Sequence, residues 1–175
     1  LMVMMAIERI GPKFCQLYGQ TEAPNMITYL SKADHDLDRP HLLQSCGIPL
    51  APNRIALLLA DGSEAGPDEA GEICVRGPLV MEEYWKNPEE TAKTFEHGWL
   101  HTGDVARIDE NGFIYIVDRK KDMVLRGGEN VFCTEVEAGI YRHPAVAECC
   151  VFGVPDERLG EEVGVAVVLK PGETL

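Results

Sequence analysis

Hydrophobic and polar positions divide the chain into short elements, most of them of strand length. The first ten residues place apolar side chains at helix-compatible positions and close on Gly11-Pro12, a strong breaker. Lys13-Phe14-Cys15-Gln16-Leu17-Tyr18 predicts a short strand leading into Gly19. After a polar stretch at 31–46, residues 47–52 read as loop, and 55–60 form a continuous apolar run of strand length. A turn at Asp61-Gly62 and a linker, Ala65-Gly66-Pro67-Asp68, precede Glu72-Ile73-Cys74-Val75-Arg76-Gly77, whose alternation predicts a half-buried strand. Residues 87–96 predict a helix. Asn87 suits the N-cap, Pro88 the first helical position, and Glu89 and Glu90 place negative charge in the first turn.

Two apolar runs, 105–108 and 113–117, flank Asp109-Glu110-Asn111-Gly112, where the Asn-Gly pair favours the positive φ angles of a hairpin turn. The charged run 118–122 must be solvated and marks a natural boundary. Beyond it, 123–125 predicts a strand and 126–130 a tight loop. Thr134 and Glu137 have capping-box spacing for a helix ending near His143-Pro144, and 146–151 and 163–169 predict two further strands. The expected fold class is α+β. A β-rich, barrel-like subdomain occupies 1–118 and a small α+β lobe, ordered β-α-β-β, occupies 119–175. The start lacks an initiator methionine and a signal-peptide pattern, and the end follows the turn signal Lys170-Pro171-Gly172. The expectation is a fragment incomplete at both ends.

Composition narrows the function classes. The 175 residues are 45% apolar and 26% charged, which fits a globular chain. Sixteen basic against twenty-nine acidic residues give a net charge of −13, so no basic excess exists to displace phosphate counterions and a nucleic-acid partner is not expected. An anionic small molecule stays open, since a few cations and backbone amides suffice for one. No apolar run reaches membrane-spanning length. The six cysteines show neither a secreted framework nor zinc-type spacing, and free thiols in a reducing cytoplasm are the expected state.

Four segments carry candidate chemistry. Tyr18-Gly19-Gln20-Thr21-Glu22 places a ring, a glycine, a hydroxyl and a carboxylate at a strand-to-loop exit. The ring can stack on a base, Thr21 can donate to a phosphate and Glu22 can hold Mg²⁺, a hard cation that prefers oxygen ligands. A core ring, a capping hydroxyl and a surface acid is the structural alternative. Gly98-Trp99-Leu100-His101-Thr102-Gly103-Asp104 reads as a loop whose terminal carboxylate can accept from ribose hydroxyls or start an Asx turn. His101 is read as a packed or turn histidine with no catalytic role. Arg119, at the far end of the same hairpin, can form with Asp104 a clamp for hydroxyl and phosphate oxygens, or a structural ion pair. Arg126-Gly127-Gly128-Glu129-Asn130 lacks the spacing of known phosphate loops, and either a narrow ligand or a plain hairpin turn fits it.

In their order these segments resemble the adenylate-forming superfamily that contains the acyl-CoA synthetases, the coumarate–CoA ligases and the firefly luciferases. The resemblance rests on Tyr-Gly-Gln-Thr-Glu at 18–22, Gly-Glu-Ile-Cys-Val-Arg-Gly at 71–77, Gly-Trp-Leu-His-Thr-Gly-Asp at 98–104, Asp-Arg-Lys-Lys-Asp at 118–122 and the block 127–137, and it covers essentially the whole chain. It implies a two-step reaction. A carboxylic acid and Mg-ATP give an acyl-adenylate and pyrophosphate, and the thiol of coenzyme A then displaces AMP. It also implies residue roles. Tyr18 would lie at the adenine, with Gly19 and Gln20 also at the nucleotide, Thr21 at phosphate and Glu22 at Mg²⁺. Asp104 and Arg119 would hold the ribose, and Lys121 would be the hinge of the small lobe. Gly127, Gly128 and Glu129 would form the loop lining the coenzyme A tunnel.

The family's phosphate loop, its C-terminal lysine and most of its acyl pocket have no counterpart in these residues, so the resemblance implies an active parent and an inactive fragment. A carrier-protein pantetheine as acceptor, or a non-catalytic interaction module retaining the fold, are the alternatives. A homodimer is compatible with the sequence.

Overall fold

The computed structural model describes residues 2–67 and 69–174; Asp68 of the expected linker lies outside the described residues. The chain divides into two compact units, Leu1–Ile116 and Val117–Leu175.

The first unit begins with α1 (Met2–Ile10), which ends as its breaker requires: Gly11 takes φ +78° and its N–H donates to Ile7 O at 2.8 Å. The strand expected at 13–18 runs instead over Gln16–Gln20 (β1) and pairs antiparallel with β2 (Ala23–Leu30), an element the alternation did not reveal. Thr21 and Glu22 therefore form a two-residue hairpin turn rather than a loop exit. Ile48–Pro49 (β3), expected as loop, extends this sheet by pairing with Thr28 and Tyr29. A second sheet has the order β4 (Arg54–Leu58), β5 (Gly71–Arg76), β7 (Trp99–Ile108), β6 (Phe95–Glu96), with β8 (Ile114–Arg119) pairing β7. The result is a β-rich, curled half-barrel.

Between β5 and β6, α2 (Pro88–Thr94) starts as its sequence dictates, with Asn87 Oδ1 accepting from Glu90 N at 3.2 Å. It stops at Thr94, because 95–96 turn back on Trp99 and Leu100 through His97 and Gly98, both at positive φ. The hairpin at 109–112 also differs from expectation. Only Gly112 takes positive φ (+84°), while Asp109 Oδ1 accepts from Asn111 N and Phe113 N, each at 2.9 Å. An Asx-type turn thus replaces the Asn-Gly geometry.

The first unit's core contains Ala23, Ile27, Ile73, Val75, Leu100, Ala106 and Ile114. The two sheets meet at Ile114, whose carbonyl accepts from Cys46 N (2.8 Å) and Ser45 Oγ (2.9 Å), while its N–H donates to Gly47 O (2.9 Å). Strand β5 is not half-buried as its alternation suggests. Residues 71–75 are all buried, since Ile73 and Val75 face the main core and Cys74 packs with Ala56, Leu58 and Trp99 on the other face.

In the second unit, β9 (Val124–Arg126) and β10 (Glu129–Val131) form a hairpin closed by Gly127 and Gly128 at φ +60° and +91°. The hairpin adds a strand to the expected β-α-β-β order. Strands β11 (Val146–Asp156) and β12 (Gly160–Leu169) form a long hairpin, giving the sheet order β10-β9-β12-β11. Helix α3 (Cys133–Ile140) packs Val136 and Ile140 against the cluster of Val124, Cys133 and Val151, as Val163 of β12 also does. The expected capping box is not made. Thr134 Oγ1 donates to Val117 O and Glu137 Oε1 accepts from Val151 N at 2.9 Å. The first-turn amide of Thr134 donates instead to buried Asp118 Oδ2 at 3.3 Å, so a carboxylate sixteen residues upstream serves as the cap. All six cysteines are free thiols. Among the described residues no helix is long and apolar enough to cross a membrane.

Gly47 has φ +98°, and a Cβ there would lie 2.2 Å from the Tyr29 carbonyl carbon. Gly47→Ala should lower stability by at least about 3 kcal/mol in urea denaturation. Gly112→Ala, also at positive φ but facing open space, should cost only about 1–2 kcal/mol. Equal losses would contradict the packing account. Asp118→Ala should cost about 1–2 kcal/mol and speed hydrogen exchange at the Thr134 amide; an unchanged exchange rate there would rule out the remote cap.

Candidate functional site

Three of the five sequence-selected stretches lie in the first unit, and the fold brings 18–22 and 71–77 each into contact with 98–104. Tyr18 sits at a register irregularity between Tyr18 and Gln20, with Gly19 between them on β1. Its hydroxyl donates to Asp104 Oδ2 at 2.6 Å across 86 residues of sequence. Burial, and then the Asp104 acceptor, push the Tyr18 phenol far above its ordinary range, so it stays protonated and acts as donor.

Asp104 is not in a loop. It lies inside β7, at a bulge built from Thr102, Gly103 and Asp104, three residues facing only Ile73 of β5. Gly103 supplies the positive φ (+76°) that the bulge needs. The bulge is pinned along its length. Thr102 Oγ1 donates to Ile73 O (2.8 Å) and accepts from Asp104 N (3.2 Å), and Gly103 N donates to Glu72 Oε1 (3.0 Å).

Glu72 is a structural residue of this region that sequence reasoning missed. Strand alternation treats it as solvent-facing, yet it is 7% exposed, and its second oxygen lies 2.9 Å from His101 Nδ1. Cys74 Sγ approaches the same nitrogen at 3.4 Å. Glu72, Cys74 and His101 thus gather metal-ligand atom types within 4.8 Å. In place, the two Glu72 oxygens pin the bulge amide and the imidazole. His101 is a packed residue, as its sequence context suggests.

Glu22 has a different tyrosine partner. It is half-buried at the second position of the β1–β2 turn, beside exposed Thr21. Tyr84 donates its hydroxyl to Glu22 Oε1 at 2.7 Å, and Met81 N donates to Glu22 O at 2.8 Å. No sequence signal marked Tyr84, whose partner lies 62 residues away. A single half-exposed carboxylate with hard oxygens suits Mg²⁺, which takes one or two protein carboxylates and otherwise phosphate and water.

The remaining candidates belong to the second unit. Arg119 is exposed at the end of β8, and its N–H donates to Asp118 Oδ1 at 2.8 Å. Lys121 is exposed in the turn between β8 and β9 and lines a cavity of about 550 Å³ also edged by Asp118, Asp122, Glu137 and Glu161. Gly127 and Gly128 form the β9–β10 turn, and exposed Glu129 opens β10 opposite Arg126.

Two family models match the chain, AMP-binding enzyme over residues 2–85 and AMP-binding enzyme C-terminal domain over residues 135–175. The medium/long-chain-fatty-acid–CoA ligase FadD8 of Mycobacterium tuberculosis is 56% identical over 94% of this chain and 28% of its own. The fatty acid–[acyl-carrier-protein] ligase ScoC of Streptomyces coeruleorubidus is 43% identical over 92% of this chain and 31% of its own. The o-succinylbenzoate-CoA synthetase of Bacillus subtilis has been solved with its acyl-adenylate intermediate. That structure matches with a TM-score of 0.80 and 36% identity, over 98% of this chain and 34% of its own. Its complex with ATP and a magnesium ion matches with a TM-score of 0.73 and 39% identity, over 89% and 31%. The chain therefore spans 28% to 34% of the length of these relatives. With both models matched in chain order, and with motifs, fold and relatives in agreement, the chain belongs to the AMP-binding enzyme family.

Proposed function

We propose that this chain forms the nucleotide-facing part of an ATP-dependent acid–thiol ligase that activates a medium- or long-chain fatty acid and passes it to coenzyme A. The 2.6 Å bond from Tyr18 to Asp104 carries this reading. It joins the two sequence-distant residues that the family resemblance assigns to adenine and ribose. Tyr18, held protonated, orients the Asp104 carboxylate, and that carboxylate accepts from ribose hydroxyls, which are donors. Thr21, exposed beside Glu22, donates its hydroxyl to a phosphate oxygen. Glu22 is the residue that would hold magnesium, which when bound neutralises charge on the phosphates.

In the first half-reaction an oxygen of the fatty carboxylate forms a bond to the α-phosphorus as the bond to pyrophosphate breaks. In the second, the coenzyme A sulfur, its proton released, bonds to the acyl carbon as the carbon–oxygen bond to AMP breaks. Arg119 is assigned to the ribose and Lys121 to the hinge, where an exposed turn absorbs backbone change with its charge solvated in either orientation. Gly127, Gly128 and Glu129 are assigned to the pantetheine path; two glycines at positive φ leave no side-chain bulk at the tip of that hairpin. The 43% identity to the acyl-carrier-protein ligase favours a second reading of the acceptor, a carrier-bound pantetheine thiol.

The test is a polypeptide of the relatives' length that contains this chain, offered a panel of carboxylic acids while AMP release is followed. Acid-dependent AMP release that rises with coenzyme A is the expected result. A rise only with a pantetheinylated carrier protein would establish the second reading, and no acid-dependent AMP at all would sink adenylation and leave a binding module. In the same protein Asp104→Ala should raise the KM for ATP roughly tenfold with every acid. An unchanged KM would overturn the ribose assignment.

A further inference from the structure

We propose that Tyr84 is a positioning residue for Glu22, holding one carboxylate oxygen so that the side chain presents itself to the divalent cation of ATP in a single orientation. The proposal rests on the reading of Glu22 as the magnesium ligand given above.

Glu22 stands in a two-residue turn, where a side chain ordinarily has rotamer freedom, and its neighbour Thr21 is exposed. The segment after β5 removes that freedom at two points. Met81 N donates to Glu22 O at 2.8 Å, fixing the backbone, and Tyr84 Oη donates to Glu22 Oε1 at 2.7 Å, fixing the carboxylate. Tyr84 is itself anchored. Its N–H donates to Thr91 Oγ1 at 3.0 Å, and the Thr91 hydroxyl donates to Asn87 O at 2.8 Å. Asn87 in turn caps α2. The capped start of α2 is thus the fixed base from which the Tyr84 ring reaches the turn. The donor is neutral, so it orients the carboxylate without cancelling the charge that a cation needs. Hydrogen bonds of this kind to a metal-binding side chain commonly change metal affinity by one to two orders of magnitude when removed.

Tyr84→Phe removes the hydroxyl and keeps the ring. In the polypeptide of the relatives' length, two quantities separate positioning from folding: the MgATP concentration for half-maximal ATP–pyrophosphate exchange, and the Kd for AMP, which brings no magnesium. Tyr84→Phe should raise the first roughly tenfold or more while changing the second by less than about twofold. Glu22→Gln should raise the first at least as much. If Glu22→Gln leaves MgATP dependence unchanged, the magnesium reading itself is wrong. If Glu22→Gln raises it and Tyr84→Phe does not, Tyr84 has no positioning role. Parallel losses in MgATP and AMP for Tyr84→Phe would likewise overturn the proposal, because a general disturbance of the fold moves both.

Discussion

Three residues of β7, Thr102, Gly103 and Asp104, must fit opposite one residue of β5, Ile73, and the first unit is organised around how that excess is absorbed. A surplus of two preserves the alternation, so Leu100 before the bulge and Ala106 after it both reach the same core. The extra backbone is pushed outward at Gly103, the one residue type that takes φ +76° without strain. Its polar groups are then satisfied by Glu72 and by the Thr102 hydroxyl. Asp104 is delivered to Tyr18 by this step. The site geometry and the continuity of the core are therefore one structural solution.

How much of this was legible in the sequence depended on whether the cause was local. The Asn87 cap is an interaction across three residues, and its sequence signature and its geometry agree. The capping box at 134–137 has an equally good local signature and is not formed, because tertiary partners outcompete it. Val117 O takes the Thr134 hydroxyl, Val151 N takes the Glu137 carboxylate, and Asp118 takes the orphan amide. The same contest hid Glu72. Alternation assigns an acid in a strand to solvent, but β5 is covered on both faces, and only the bulge opposite explains why a carboxylate is wanted there. The loop expected at 98–104 is instead a tight turn followed by strand β7. Gly98 closes that turn and Gly103 permits a bulge inside the strand. Tyr84 and Glu22 are separated by 62 residues, a distance over which sequence pattern carries no information about contact.

The charge of the chain takes on a different meaning beside these contacts. A net −13 suggests a surface hostile to phosphates, yet the acids of the site are gripped by hydroxyls and backbone amides. Tyr18 holds Asp104, Tyr84 holds Glu22, and the Gly103 amide holds Glu72. A guanidinium in the place of Tyr84 would orient the Glu22 carboxylate equally well, but it would bring a positive charge against a bound cation and lower the carboxylate's affinity for it. A phenol orients and leaves the charge in place. For the magnesium role proposed for Glu22, that difference favours tyrosine as the donor.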